Sequence, residues 1–290
     1  MNDPAQVLPQ QQPVKTNISR MGHLLLEQGK IGNRELQSIL AYQKQEGVRF
    51  GEAAIALKLV EPRDVQQILA LQFAYPPAPG QQSQLDPALL CAFQPDSPTA
   101  EGYRVLRSEL MLRYFKDNFH QSLPLVGTGD PAAIARSSAN LAVAFSQLGL
   151  RTLLVDCNLR NPQLHSLFGL ANGTGLSDWL AARSRTAPIT IPELPALAVL
   201  SAGTPAPNPQ ELISSPRFDK CLKAMCREFE ITILNTAPAD QCLDAQLIAA
   251  QAQSALILAT QHQSRIQSLE QICNRLSSIN IRILGVALST

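Results

Sequence analysis

The chain has 290 residues, a formal net charge of +1 and only 16% charged residues. That length admits one large α/β domain and a smaller companion, while the balanced charge argues against a nucleic-acid polymer as main partner, because phosphate-backbone binding needs clustered Lys and Arg. Six cysteines without a CxxC pair and four scattered histidines exclude a zinc framework and fit a reducing cytoplasm. No run approaches ~20 apolar residues and the N-terminus lacks an apolar core, so no direct membrane span is expected.

Residues 1–17, rich in proline and glutamine, read as a disordered tail. Residues 20–43 (RMGHLLLEQGKIGNRELQSILAYQ) and 49–72 (RFGEAAIALKLVEPRDVQQILALQ) superimpose at an offset of 29, which predicts an all-helical tandem-repeat domain over 18–75. Both copies open Arg-apolar-Gly, carry an apolar residue at the seventeenth position (Leu36, Val65) and end in Gln. Each is expected to form two short amphipathic helices. Gly29 stops the first helix and Asn33 caps the second; in the other copy Glu61 and Pro62 occupy the helix start.

This pair resembles the N-terminal domain of type II secretion and pilus-extension ATPases, whose tandem motifs bind cyclic di-GMP. The matching positions are Arg20, Met21, Gly22 and Gln43, then Arg49, Phe50, Gly51 and Gln72, with the spacer Lys44–Val48 between them. The resemblance implies that these residues meet the ligand: arginine pairs with phosphate or stacks on guanine, glycine admits the backbone, and the apolar side chains pack on the bases. The tenth position departs from the pattern, being Gly29 in one copy and Lys58 in the other. A small helical adaptor that binds protein is the plainer reading.

Six prolines between Tyr75 and Pro98 predict a linker over 76–98, with one short helical turn at 86–93. From residue 123 strand-like runs alternate with helical ones, which predicts a parallel sheet covered on both faces. Strands are expected at 123–126, 152–156, 197–201, 231–235, 255–260 and 283–288, and helices at 133–148, 209–228, 240–252 and 265–278, with Leu141, Phe145 and Leu148 covering the sheet. Ligands in such sheets bind beyond the carboxyl ends of the strands, here GTGDP, DCNLRNP, SAGTPAPNP and NTAPAD.

Over about 100–289 the chain resembles the bacterial tyrosine kinases of capsule and exopolysaccharide synthesis, within the partition-type P-loop ATPases. The carriers are EGYRVLRSEL (101–110), SANLAVAFSQLGLRTLLVDCNLRNPQLHSLFGL (138–170), GTGLSDWLA (173–181), GTPAPNPQELISSPRF (203–218) and EITILNTAP (230–238). The implied fold is a P-loop NTPase-like α/β domain. A phosphate loop needs N–H groups facing the phosphates, a Lys for the β/γ oxygens and a hydroxyl for Mg²⁺. Anchored on Asn140, the family's Gly-Glu-Gly-Lys-Ser falls on 131–135, so Ile134 replaces the Lys and Ala135 the Ser. No lysine occurs between Lys116 and Lys220, and Arg136 is the nearest cation. The Asp-x-Asp motif reads Asp156-Cys157-Asn158, and the Walker B aspartate reads Asn235. An amide cannot match a carboxylate at a hydrated Mg²⁺. The tyrosines that the family clusters near its C-terminus stand here at 42, 75, 103 and 114. ATP and Mg²⁺ are therefore not expected, and Asp156 is expected to cap a turn or pair with Arg160. Glu101, Arg104 and Arg107 fall where the family joins neighbouring subunits, which implies a homo-oligomer contact; local ion pairs are the plainer reading.

The two resemblances together point to a cytoplasmic, non-catalytic regulator of exopolysaccharide synthesis or export. It would bind cyclic di-GMP and contact a membrane chain-length or polymerisation partner. Two rivals are an active kinase or ATPase whose loop is rearranged around Arg136, and a ligand-free scaffold. A chromosome-partition ATPase would need the lost lysine and leaves EGYRVLR and NPQEL unexplained.

Overall fold

A computed structural model of the protein describes residues 20–27, 29–62, 64–65, 68, 79–80, 82–116 and 121–289. The chain divides into two units, Met1–Pro77 and Ala78–Thr290. The tail expected at 1–17 lies outside the described residues.

In the first unit α1 (Arg20–Glu27), α2 (Asn33–Glu46) and α3 (Phe50–Ala56) follow one another. The repeat is present in the hydrogen bonds as well as the letters. Gly29 N–H donates to Leu26 O and Lys30 N–H to Leu25 O; 29 residues on, Lys58 N–H donates to Ile55 O and Leu59 N–H to Ala54 O. Gly29 and Lys58 share the left-handed conformation, with φ of 66° and 56°. The turn is thus kept in both copies, although at Lys58 a side chain makes it cost about 1–2 kcal/mol. Equivalent apolar positions (Met21 and Phe50, Leu36 and Val65, Ile39 and Ile68) are buried in one core. The cap of α2 is Gly32 and not Asn33: the Glu35 carboxylate reaches back to accept Gly32 N–H at 2.6 Å, so the residue before Asn33 supplies the extended backbone.

The second unit is a seven-stranded sheet in the order β3-β4-β2-β5-β1-β6-β7, parallel except for β3 against β4. In chain order its elements are α4 (Leu90–Phe93), α5 (Pro98–Leu110), β1 (Gln121–Gly127), α6 (Pro131–Ser146), β2 (Thr152–Asp156), α7 (Leu164–Leu167), α8 (Leu176–Leu180), β3 (Ile189–Ile191), β4 (Leu194–Leu200), α9 (Pro209–Ser214), α10 (Pro216–Glu228), β5 (Ile231–Asn235), α11 (Asp244–Ala252), β6 (Ser254–Thr260), α12 (Ile266–Ser278) and β7 (Arg282–Ser289). Strands β2 and β5 are buried throughout because helices cover both faces, which is why they read as unbroken apolar runs. In α6 every residue from Ala133 to Ser146 except Arg136 is buried.

Three expectations are corrected. Residues 82–97 are no linker: Leu85, Leu89 and Cys91 belong to the main core. Cys91 N–H donates to Asn140 Oδ1, Asn140 Nδ2 to Ala88 O and Gln147 Nε2 to Cys91 O. The prolines shape this segment while its apolar residues and backbone groups bind α6. The single helix expected at 209–228 breaks at Ser215, whose ψ of 149° is extended, because the ring of Pro216 disfavours helical backbone before it. Leu148 lies beyond the end of α6 and is exposed, leaving Leu141 and Phe145 to cover the sheet.

Candidate functional site

The order β2-β5-β1 brings Asp156, Asn235 and the loop after Gly127 to one edge of the sheet, where a parallel α/β fold places its ligands. The loop from Gly127 to α6 is short, and two of its N–H groups are already held by carboxylates. Gly129 N–H points between the two Asp240 carboxylate oxygens at 3.1 and 3.2 Å. The Asp130 carboxylate caps α6 by accepting Ala132 N–H at 2.9 Å. Pro131 opens the helix and has no N–H to offer. Gln241 Nε2 donates to Gly129 O, so both backbone polar groups of Gly129 are tied to the segment after β5. Asp240 was not singled out in the sequence; its only signal is its place in NTAPAD, at a strand end.

Ile134 is 3% exposed and fills the space beneath the loop. A Cβ placed on Gly127 would lie 2.7 Å from Ile134 Cγ1, so glycine there serves the isoleucine. Ala135 is fully buried in the core. Arg136, by contrast, is about half exposed and lies 3.6 Å from Asp130.

Asp156 is fully buried and accepts four hydrogen bonds, from Asn158 N–H, Gln163 N–H, Leu164 N–H and Asn235 Nδ2. Burial pushes its carboxyl above the ordinary value, and the four donors oppose that rise. Asn235, also fully buried, has its Oδ1 3.3 Å from Ser138 Oγ. Asn158 holds the following turn through Asn161, donating to its carbonyl and accepting its N–H. The expected pairing of Asp156 with Arg160 does not occur. Arg160 instead grips the buried Asp244 with two bonds of 2.7 and 3.1 Å, and Asp156 caps the turn and α7.

No protein-family model matches the chain. It is 29% identical over 200 residues to CapB of Staphylococcus aureus, covering 68% of this chain and 86% of that one. It is 30% identical over 205 residues to the tyrosine-protein kinase wzc of Salmonella typhimurium, covering 70% of this chain and 28% of the longer protein. Among solved structures, the chimerical protein CapA2B2 superimposes with a TM-score of 0.65 at 28% identity, over 77% of this chain and 98% of its own. The α/β unit is thus similar in sequence to bacterial tyrosine kinases and shares the P-loop ATPase fold.

Other residues singled out by the resemblance make bonds within the chain. In α5 Arg104 bonds Glu101 and donates to Pro95 O, while Arg107 donates to Ala144 O near the end of α6. GTGLSDWLA is kept by packing: a Cβ on Gly203 would lie 2.6 Å from the Asp178 carboxylate and from Gly175 N. Asp178 caps this corner. Burial alone would raise its carboxyl, but hydrogen bonds from Thr204 N–H, Thr204 Oγ1 and Gly175 N–H, with Arg183 nearby, hold it below the ordinary value.

In the helical unit, Arg49 precedes α3 and is exposed, Gln43 is half-buried on α2, and Gly22 is buried on α1. Met21 and Phe50 point into the core, which removes most of their surface from any ligand. Gly51 is needed there for packing, since a Cβ would lie 2.8 Å from Val65 Cγ1. The Arg20 side chain and Gln72 lie outside the described residues. Among the described residues no helix is long and apolar enough to cross a membrane.

Proposed function

We propose that this protein is a non-catalytic member of the kinase family, a regulator of capsule or exopolysaccharide synthesis that has lost the ATP site. The observation that carries the reading is the pair of carboxylates at the phosphate loop. Asp240 holds Gly129 N–H and Asp130 holds Ala132 N–H, so negative charge stands where a nucleotide would bring its phosphates. Buried Ile134 stands in the lysine's position, and Asn235 closes on Asp156 where a second carboxylate would serve Mg²⁺. These residues do not fit Mg-ATP. The rearranged-loop rival needs Arg136 to reach phosphate, and its proximity to Asp130 argues against that.

The regulatory ligand in this reading is cyclic di-GMP, bound by the helical unit through Arg20 and Arg49, the helical Gly22 and Gly51 and the terminal Gln43 and Gln72. The conserved geometry of the two repeats supports it; the burial of Met21 and Phe50 assigns recognition to the polar groups. A membrane chain-length or polymerisation protein is the proposed partner, by analogy with the CapA2B2 chimera. Calorimetry with cyclic di-GMP tests the ligand. Saturable binding that Arg20→Ala with Arg49→Ala weakens at least tenfold supports the reading; no heat, or unchanged affinity in the double variant, refutes it and leaves the ligand-free scaffold.

A further inference from the structure

In the α/β unit, α8, the segment after it and the start of α10 line an open hollow of about 540 Å³. Its wall includes Trp179, the chain's one tryptophan, and its border carries Arg183, Arg185, Arg217 and Lys220. A smaller hollow of about 230 Å³ shares Trp179 and Arg185 and extends the groove along α10 to Glu228. Small-molecule sites run about 300–1,000 Å³, so the larger hollow alone is of adequate size.

The charge here is one-sided. Arg185 lies 3.6 Å from Glu228, and neighbouring Lys223 is neutralised by Asp219 at 2.8 Å. Among the described residues, Arg183, Arg217 and Lys220 have no carboxylate within ion-pair distance. Asp178, the acid nearest Arg183, is buried and already holds Thr204 and Gly175. Four cations against one exposed carboxylate, in a chain of net charge +1, is a concentration that an anion relieves. The Arg185 guanidinium is stacked 5.5 Å from the Trp179 ring centroid, which presents a flat aromatic and cationic wall beside the charges.

A hollow lined by several cations and a planar wall suits a ligand that combines phosphates with a flat ring. A membrane surface would favour the same cations on a convex or level face. We propose that this hollow binds a nucleoside diphosphate, free or as the diphosphate of a nucleotide-sugar, with Arg183, Arg217 and Lys220 on the phosphates and Trp179 with Arg185 against the base. The site uses none of the residues assigned above to cyclic di-GMP or to the phosphate loop, so it stands or falls independently of the function proposed above.

Because Trp179 is the chain's one tryptophan, its fluorescence reports on this hollow directly. The full chain is titrated with UDP, with inorganic pyrophosphate and with phosphatidylglycerol vesicles. The expected result is a saturable change of emission with UDP, at least tenfold weaker affinity for pyrophosphate, and at least tenfold weaker UDP binding in Arg183→Gln with Lys220→Gln, but not in Lys223→Gln. Both exchanged side chains are exposed, and circular dichroism checks that the variants keep the fold. No saturable change with UDP, equal affinity for pyrophosphate, unchanged affinity in the double variant, or a response to vesicles alone overturns the proposal.

Discussion

Replacing Asn235 by Asp installs the residue that the family resemblance implies at this strand end, and the geometry predicts that it harms the fold. Asn235 Nδ2 stands 2.9 Å from Asp156 Oδ1, and both residues are fully buried. Two ionised carboxylates at that separation repel by about 6 kcal/mol at an effective dielectric constant of about 20. The pair avoids this by holding one proton, whose donation also replaces the lost N–H bond. Keeping that proton costs about 1.4 kcal/mol for each pH unit above an unfolded-state value of about 3.9. The destabilisation of Asn235→Asp is therefore about 5 kcal/mol at pH 7.5 and about 2 kcal/mol at pH 5.5. The sign follows from a folded-state pKa raised above the unfolded one: stability is fully present below about pH 3.9 and is lost as pH rises. Asp156 already leans this way through burial, but that slope is common to parent and variant and cancels in the difference. Urea unfolding of both proteins at the two pH values measures it. Equal stability at pH 7.5, a difference independent of pH, or full recovery with millimolar Mg²⁺ refutes the reasoning, the last because it would mean that the site still receives the metal.

Other consequences concern packing and capping. Lys58→Gly relieves the left-handed side chain in the second repeat and is expected to raise stability by about 1 kcal/mol in urea unfolding. Gly51→Ala pushes a methyl to 2.8 Å from Val65 Cγ1 and is expected to cost about 1–3 kcal/mol, read as a lower melting temperature of the helical unit. Asp178→Ala orphans the N–H groups of Gly175 and Thr204 and is expected to cost about 2–4 kcal/mol. Because its carboxyl is held below the ordinary value, the parent's contribution from Asp178 is present above about pH 4 and lost as pH falls, so the gap between parent and variant melting temperatures should narrow below that pH.

The alternating pattern made the parallel sheet legible, since its inner strands are apolar runs bounded by Gly, Pro and Asn. The strand β3 was not, because three residues with two exposed carry no usable alternation. The repeat was legible in letters because equivalent apolar positions share one core. What the letters could not say is which way Met21 and Phe50 face, as an apolar residue beside a glycine suits a ligand and a core equally. The segment 82–97 was misread for a related reason. Proline density suggests a free chain, while Leu85 and Leu89 enter the core and the Ala88 and Cys91 backbone is held by Asn140 and Gln147, some fifty residues away in sequence. That an isoleucine, Ile134, falls where the family resemblance implies a lysine was plain in the letters. The hold of Asp240 on the loop was hidden, because it depends on a contact between Gly129 and a residue 111 positions later.

Calorimetry and phosphate release with Mg-ATP test the loss of the nucleotide site most directly. The account predicts no saturable heat up to about 1 mM ATP and no phosphate release above that of buffer. Tighter binding or turnover that Asp156→Ala abolishes, in a variant that remains folded, would contradict it.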